Sequence, residues 1–185
     1  MKRNLLIFIV VFVSYFLGNS IYTEITRDKT PGKAKRIPCQ AKVTTFEKCF
    51  LNDDIKIAQS LLESGNIHLS SSVKRSVYSK SKLFDIIKLD DLDKLVYSEL
   101  NSYIKRKKET KDKLNLSYYV YENDPKDPGK KTEKSKLYGG YILLQVKNKK
   151  DRTIYKVQID FMDKQGKDLK QSLKCCIKSF ATYNK

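Results

Sequence analysis

QVKNKKDRTIYKVQIDFMDKQGK, residues 145–167, decides the fold class. Tyr155, Val157, Ile159 and Phe161 alternate with Lys156, Gln158 and Asp160, the period of a strand with one dry and one wet face. NKKDR has hairpin length, and Gly166 in DKQGK can supply the positive φ of a second tight turn. Working outward, KLNLSYYVYE (113–122) places Leu114, Leu116, Tyr118 and Val120 on one face. LYGGYILLQVK (137–147) places Ile142, Leu144 and Val146 on one face with Tyr141 and Leu143 opposite, and its paired glycines mark a bulge or a close backbone approach. SLKCCIKSF (172–180) reads as a last strand with Leu173, Cys175 and Ile177 inward. The spacing therefore predicts a four-stranded antiparallel β-meander over 113–183, with NDPKDPGKKTEKS (123–135) as its long exposed loop.

Ahead of the meander the period is 3.6. NDDIKIAQSLLESGN sets Ile55, Ala58, Leu61 and Leu62 on one stripe, with Asn52 or Asp53 as cap and Gly65 as stop. KLFDIIKLDDLDKLVYSELNSYIKRKKE repeats the pattern through Leu92, Leu95, Val96, Leu100 and Tyr103, with Asp90 or Asp91 as cap and a basic end that suits a helix C-terminus. LSSSVKRS (69–76) between them reads as a serine-rich break. Residues 44–110 are thus the helical part of a single α+β domain spanning 44–185, and helices on the dry face of the meander complete two layers. Residues 21–43, with Pro31, Gly32 and Pro38, form an extended linker.

The first 20 residues say where the chain goes. Lys2 and Arg3 precede an apolar block from Leu5 to Leu17, followed by Gly18-Asn19-Ser20. A basic start, a short apolar run and a small-x-small exit describe a secretory signal. A spanning helix needs about 20 apolar residues, so only by extending to Tyr22 would residues 5–22 serve as an uncleaved membrane anchor. Arg27, Lys29, Lys33, Lys35 and Arg36 outnumber the cations before the block, which would hold an anchored body in the cytoplasm and so favours cleavage. The body is expected outside the cytoplasm: periplasmic, at the cell surface or secreted, or else anchored to the inner membrane.

Four cysteines follow the leader: Cys39, Cys49, Cys175 and Cys176. An even number in an oxidising compartment permits bridges, and a bridge between neighbours is strained, so if bridges form residue 175 or 176 is expected to reach Cys39 or Cys49; the alternative is buried free thiols, since free Cys packs as a small hydrophobe. No C-x-x-C spacing is present, which removes thioredoxin-type chemistry and the usual structural zinc patterns. The lone His68 has no orienting partner in sequence, and no phosphate-binding glycine loop occurs. The chain is read as non-enzymatic, with no cofactor and no metal. Its formal charge of +17, from 38 Lys and Arg against 21 Asp and Glu, favours anionic partners.

Two resemblances bear on architecture. VKNKKDRTIYKVQIDFMDKQGKDL, within residues 145–169, resembles the FxLYD module of exported bacterial proteins, with Val146, Asn148, Ile159, Phe161, Met162, Asp163 and Gly166 at matching places. That likeness implies an immunoglobulin-like β-sandwich without catalysis, here carrying a helical N-terminal extension. TTFEKCFLNDDIKIAQSLLESGNI, within 44–67, looks like one ankyrin repeat, although too few copies exist for a stacked array. The arrangement that uses every segment is similar to a cystatin-like roll.

The expected function is binding, or assembly of an envelope structure, by an exported bacterial protein. Its surface is the wet sheet face around Lys147, Lys156, Lys174 and Lys178, with Tyr119, Tyr121 and the 123–135 loop. The partner is another envelope protein or an anionic surface, with membrane contact through 5–22 if the leader is retained. Two alternatives compete: a basic binder of nucleic acid or anionic polymer, and a small secreted toxin or host-directed effector. Export and the lack of a recognisable nucleic-acid motif weigh against nucleic acid.

Overall fold

A computed structural model describes residues 36–184; the leader and the linker up to residue 35 lie outside the described residues. A 3-10 turn at Pro38–Gln40 opens the domain, followed by β1 (Thr45–Cys49), α1 (Asn52–Glu63), β2 (Ile67–Lys74), the single turn α2 (Leu83–Ile86) and α3 (Leu89–Asn101). Then come β3 (Leu114–Glu122), the single turn α4 (Lys134–Leu137), β4 (Gly140–Lys147), β5 (Thr153–Phe161) and α5 (Leu169–Ala181). The strands form one five-stranded sheet in the order β1-β5-β4-β3-β2, antiparallel except for the parallel pair β2–β3.

The three strands with the clearest alternation are β3, β4 and β5, and they form the middle of the sheet. Their inward residues are closed to solvent: Leu116, Val120, Ile142, Leu144, Val157 and Ile159 are each 0–1% exposed. The glycines before and at the start of β4 mark a close approach, as expected. A Cβ on Gly140 would collide with the Tyr121 carbonyl oxygen and the Phe161 ring, and one on Gly139 with the Asp163 carbonyl. Gly65 (φ +78°) ends α1 and Gly166 (φ +73°) turns the chain into α5.

Several expectations are corrected. The sheet is neither the four-stranded antiparallel meander nor the cystatin-like roll expected, because it has five strands and one parallel pair. SLKCCIKSF is the body of α5, because a second spacing competes with its alternation: Leu169, Leu173, Cys176, Ile177 and Phe180 form one helical stripe, while Lys170, Lys174 and Lys178 form the polar one. Only Ile177 is β-branched, and burial on nearly every side of α5 rewards the helix. Second, the serine-rich stretch is not a break but β2, an edge strand paired in register with β3 from Ile67↔Leu114 to Lys74↔Tyr121. Third, the ankyrin-like stretch starts with a strand, β1, on the other edge against β5, so 44–110 is not wholly helical. Fourth, Asn52–Asp54 and Asp90–Asp91 lie inside the first turns, with Leu51 and Lys88 at the caps and no side-chain cap bond. The charges of Asp53, Asp54, Asp90 and Asp91 instead offset the helix dipoles at these N-termini. α3 stops at Asn101, before the basic run 105–108.

The second sheet that an immunoglobulin-like sandwich requires is not present among the described residues. The inward face is covered by α1, α3 and α5, with α5 against β4 and β5, α1 against β3 and β5, and α3 beside β2 and α5. The disulfide joins Cys39 to Cys175 across 136 residues of sequence, tying the start of the domain to α5. This is one of the expected pairings. Cys49 on β1 and buried Cys176 remain thiols. Behind the bridge, buried Gln40 donates to Glu47 (3.0 Å) and to Ser179 Oγ (2.9 Å), so residues 36–43 belong to the folded body.

Candidate interaction face of the sheet

With all three long helices on one side, the opposite face carries the outward residues of five strands. Register sorts them into rows. Lys48, Lys156, Gln145, Ser117 and Ser70 form one; Phe46, Gln158, Leu143, Tyr119 and Ser72 the next; Asp160, Tyr141, Tyr121 and Lys74 the third. Each edge strand carries a lysine, Lys48 on β1 and Lys74 on β2, and three tyrosine rings, Tyr119, Tyr121 and Tyr141, stand at the centre.

The rings form a connected cluster. Tyr121 stacks on Tyr141 at 4.7 Å between centroids, and Tyr119 meets Tyr141 edge-on at 5.8 Å, their hydroxyls 3.1 Å apart. Lys74 places its ammonium 5.8 Å from the Tyr121 centroid. Lys130 reaches in from the loop after β3, 5.6 Å from the Tyr121 ring and 5.3 Å from Tyr138, and its Nζ is buried without a hydrogen-bond partner. Cation–π attraction to the two ring faces compensates part of that desolvation. Leu143 is buried below these side chains, whereas Phe46 is 63% exposed. A depression of about 140 Å³ beside the cluster is lined in part by Ser70, Ser72, Ser117, Tyr119, Leu143 and Gln145.

Electrostatics mark the third row as the dry part of an otherwise wet face. Burial raises the pKa of Tyr121, Tyr138, Tyr141 and Asp160, with the Tyr119 hydroxyl adding to the rise at Tyr141. Burial lowers that of Lys130, against the pull of Asp127 and Asp124. All five groups are thus biased toward their neutral forms. Such a surface offers flat ring faces for stacking and hydroxyls for directed hydrogen bonds, with peripheral ammonium groups for long-range attraction.

Of the residues singled out in sequence, Tyr119, Tyr121, Lys147 and Lys156 share this face. Lys147 sits at its end, ion-paired with Asp151 at 2.9 Å, and Lys156 lies opposite Lys48. Lys174 and Lys178 do not share it. Both are on α5 in the helical layer, where Lys174 lies 3.7 Å from Glu99 on α3. Sequence reasoning missed Phe46, Lys48 and Lys74 because their strands were not recognised, although F-E-K and S-S-V-K carry the outward alternation. Nothing local announces Lys130 or Tyr138, which arrive through the loop's tertiary path. His68 stands exposed on β2. Among the described residues, no group of three His, Cys, Asp or Glu side chains could hold a metal ion. No family model matches the chain, and no curated protein or solved structure shows significant similarity to it.

Proposed function

We propose that the chain is an exported, non-catalytic binding protein that takes part in assembling a bacterial envelope structure, with the uncovered sheet face as its partner surface. The observation that carries this reading is the helix-free face with Tyr119, Tyr121 and Tyr141 in mutual contact at its centre. A five-stranded sheet with every long helix on one side leaves the outward rings uncovered by any long helix, and clustered tyrosines are favoured anchors at protein interfaces. The Cys39–Cys175 bridge is compatible with life outside the cytoplasm. No helix among the described residues is long and apolar enough to cross a membrane; a membrane anchor is read only in the apolar leader at 5–22, if it is retained.

A photo-crosslinking residue at Ser117 or Gln158 in the exporting cell tests the reading. Adducts to one envelope protein from these positions, but not from Lys178 in the helical layer, are expected. Equal labelling from all three positions overturns the choice of face. The lysines at the edges support a second reading, a binder of acidic polymer. That reading requires affinity for heparin or DNA that collapses between low and moderate salt, whereas salt-insensitive association with one protein favours assembly.

A further inference from the structure

At the end of the sheet where β2, β3 and β5 finish and β4 begins, segments 75–82, 123–139 and 162–168 emerge side by side. Four of the nine large apolar side chains that stand exposed among the described residues are here: Val77 (81%), Tyr78 (59%), Leu137 (62%) and Met162 (53%). Isolated exposed apolar residues need no explanation, but a concentration at one end does.

The tip carrying Val77 and Tyr78 is built, not merely left over. Two carboxylates beneath it, each less than 8% exposed, hold the segment by its backbone. Asp124 accepts from the amides of Val77 (2.8 Å), Tyr78 (2.5 Å) and Ser79 (3.3 Å), and from Ser79 Oγ (2.5 Å). Glu122 accepts from the amides of Ser76 (3.2 Å), Lys82 (2.8 Å) and Leu83 (2.9 Å). With its amides paired to buried anions, the segment projects two apolar side chains into water at little further cost in order.

The same economy sets the charge of this end. Asp163 accepts from the amides of Gln165 and Lys167, Asp168 from those of Met162 and Asp163, and Asp127 from that of Gly129. Five carboxylates are thus turned onto backbone amides. Lys80, Lys82, Lys126, Lys131, Lys164 and Lys167 are exposed, and no ion pair among the described residues engages them. The outcome is a cationic end studded with separate apolar tips. The core of a protein interface is depleted in lysine and contiguous in apolar area. An anionic bilayer asks for the opposite, lysines at the headgroups around a few inserted apolar or tyrosine side chains.

We propose that this end docks on an anionic lipid surface, with Val77 and Tyr78 entering the headgroup boundary and Leu137 and Met162 flanking them. The inference does not depend on which partner the sheet face takes.

The chain has no tryptophan, so the exported protein with Tyr78→Trp carries a single reporter at the tip, and Tyr97→Trp on α3 carries one away from it. Vesicles of phosphatidylglycerol and phosphatidylcholine in equal parts should shift the Tyr78→Trp emission to the blue. Brominated lipid should quench it, and the Tyr97→Trp emission should stay unchanged whether or not the leader holds the chain to the vesicle. Adding Val77→Asp should weaken the response about tenfold, from the lost apolar insertion and the added like charge, and moderate salt should weaken it further. An unshifted Tyr78→Trp emission with anionic vesicles overturns the proposal, as does an equal response from both positions or from pure phosphatidylcholine. A shift produced only by soluble envelope proteins overturns it in favour of a protein partner.

Discussion

The two faces of the one sheet differ in what their residues are for. On the inward face Ile142, Leu144, Val157 and Ile159 are sealed beneath α1 and α5. On the outward face the residues one step along the same strands, Tyr141, Leu143, Lys156 and Gln158, meet no long helix. A step of one residue therefore separates positions sealed beneath the helices from positions that no long helix covers. The lesson is that in a two-layer domain the uncovered side of the sheet is where function can change without stability changing, and its chemistry is the first place to look.

That division makes quantitative claims. Ile159→Lys should unfold the domain, losing more than about 4 kcal/mol by placing an unpaired ammonium in the core, while Gln158→Lys should stay within about 0.5 kcal/mol. Urea unfolding followed by circular dichroism decides this, and equal tolerance of the two would erase the distinction between faces. Next in size is the covalent tie behind the inward face. Cys175→Ala should cost about 2–5 kcal/mol, and reductant should lower the melting temperature of the parent protein but not of this variant. A non-reducing peptide map should link residue 175 to Cys39 and leave Cys176 free.

A third contrast sets the sheet's end against both faces. Asp124→Asn leaves amides of the 77–79 segment facing a weaker acceptor and should cost about 1–3 kcal/mol. The same carboxyl predicts acid lability. Burial alone would raise its pKa, but the bonds from Ser79 Oγ and from the amides of Tyr78, Val77 and Lys126 outweigh burial and hold it down at about 2. A folded pKa below the unfolded value of about 3.9 means stability that is intact above pH 4 and lost as pH falls toward 2. The Asn variant should show a shallower decline across that window in thermal melts.

Smallest in stability and largest in function should be the outward face. Tyr121→Ala should change stability by about 1 kcal/mol or less while removing the stacked centre of the cluster and, with it, crosslinking from Gln158. If Tyr121→Ala unfolds the protein, the cluster is structural and the division fails.

Much of this was readable from residues alone, for reasons that can be named. The alternation of β3, β4 and β5 is a local property of the chain, because central strands bury every second residue against a fixed partner layer. The same holds for the helical stripes of α1 and α3, the turn glycines Gly65 and Gly166, and the crowding at Gly139 and Gly140. The edges were not readable. Ser70, Ser71 and Ser72 lack strand-forming character, and β2 exists because β3 offers it a ladder and Asp93 on α3 accepts from Ser71 at 3.0 Å. For α5 the residues satisfy two periods at once, and the choice between them lies with the sheet on which the helix rests.

Sequence alone settled that there would be a sheet with a dry and a wet side and helices to cover the dry one, and that any bridge would run from residue 175 or 176 to Cys39 or Cys49. Three things waited for the assembled fold: which edges the sheet would gain, that α5 would fill the helical layer and carry Lys174 and Lys178 away from the strands, and that Lys130 would close over Tyr121 and Tyr138. The reason is range. A periodic pattern is written in neighbours a few residues apart, whereas edge pairing, the competition between two periods and the reach of a loop lysine are decided by groups distant in the chain and adjacent only after folding.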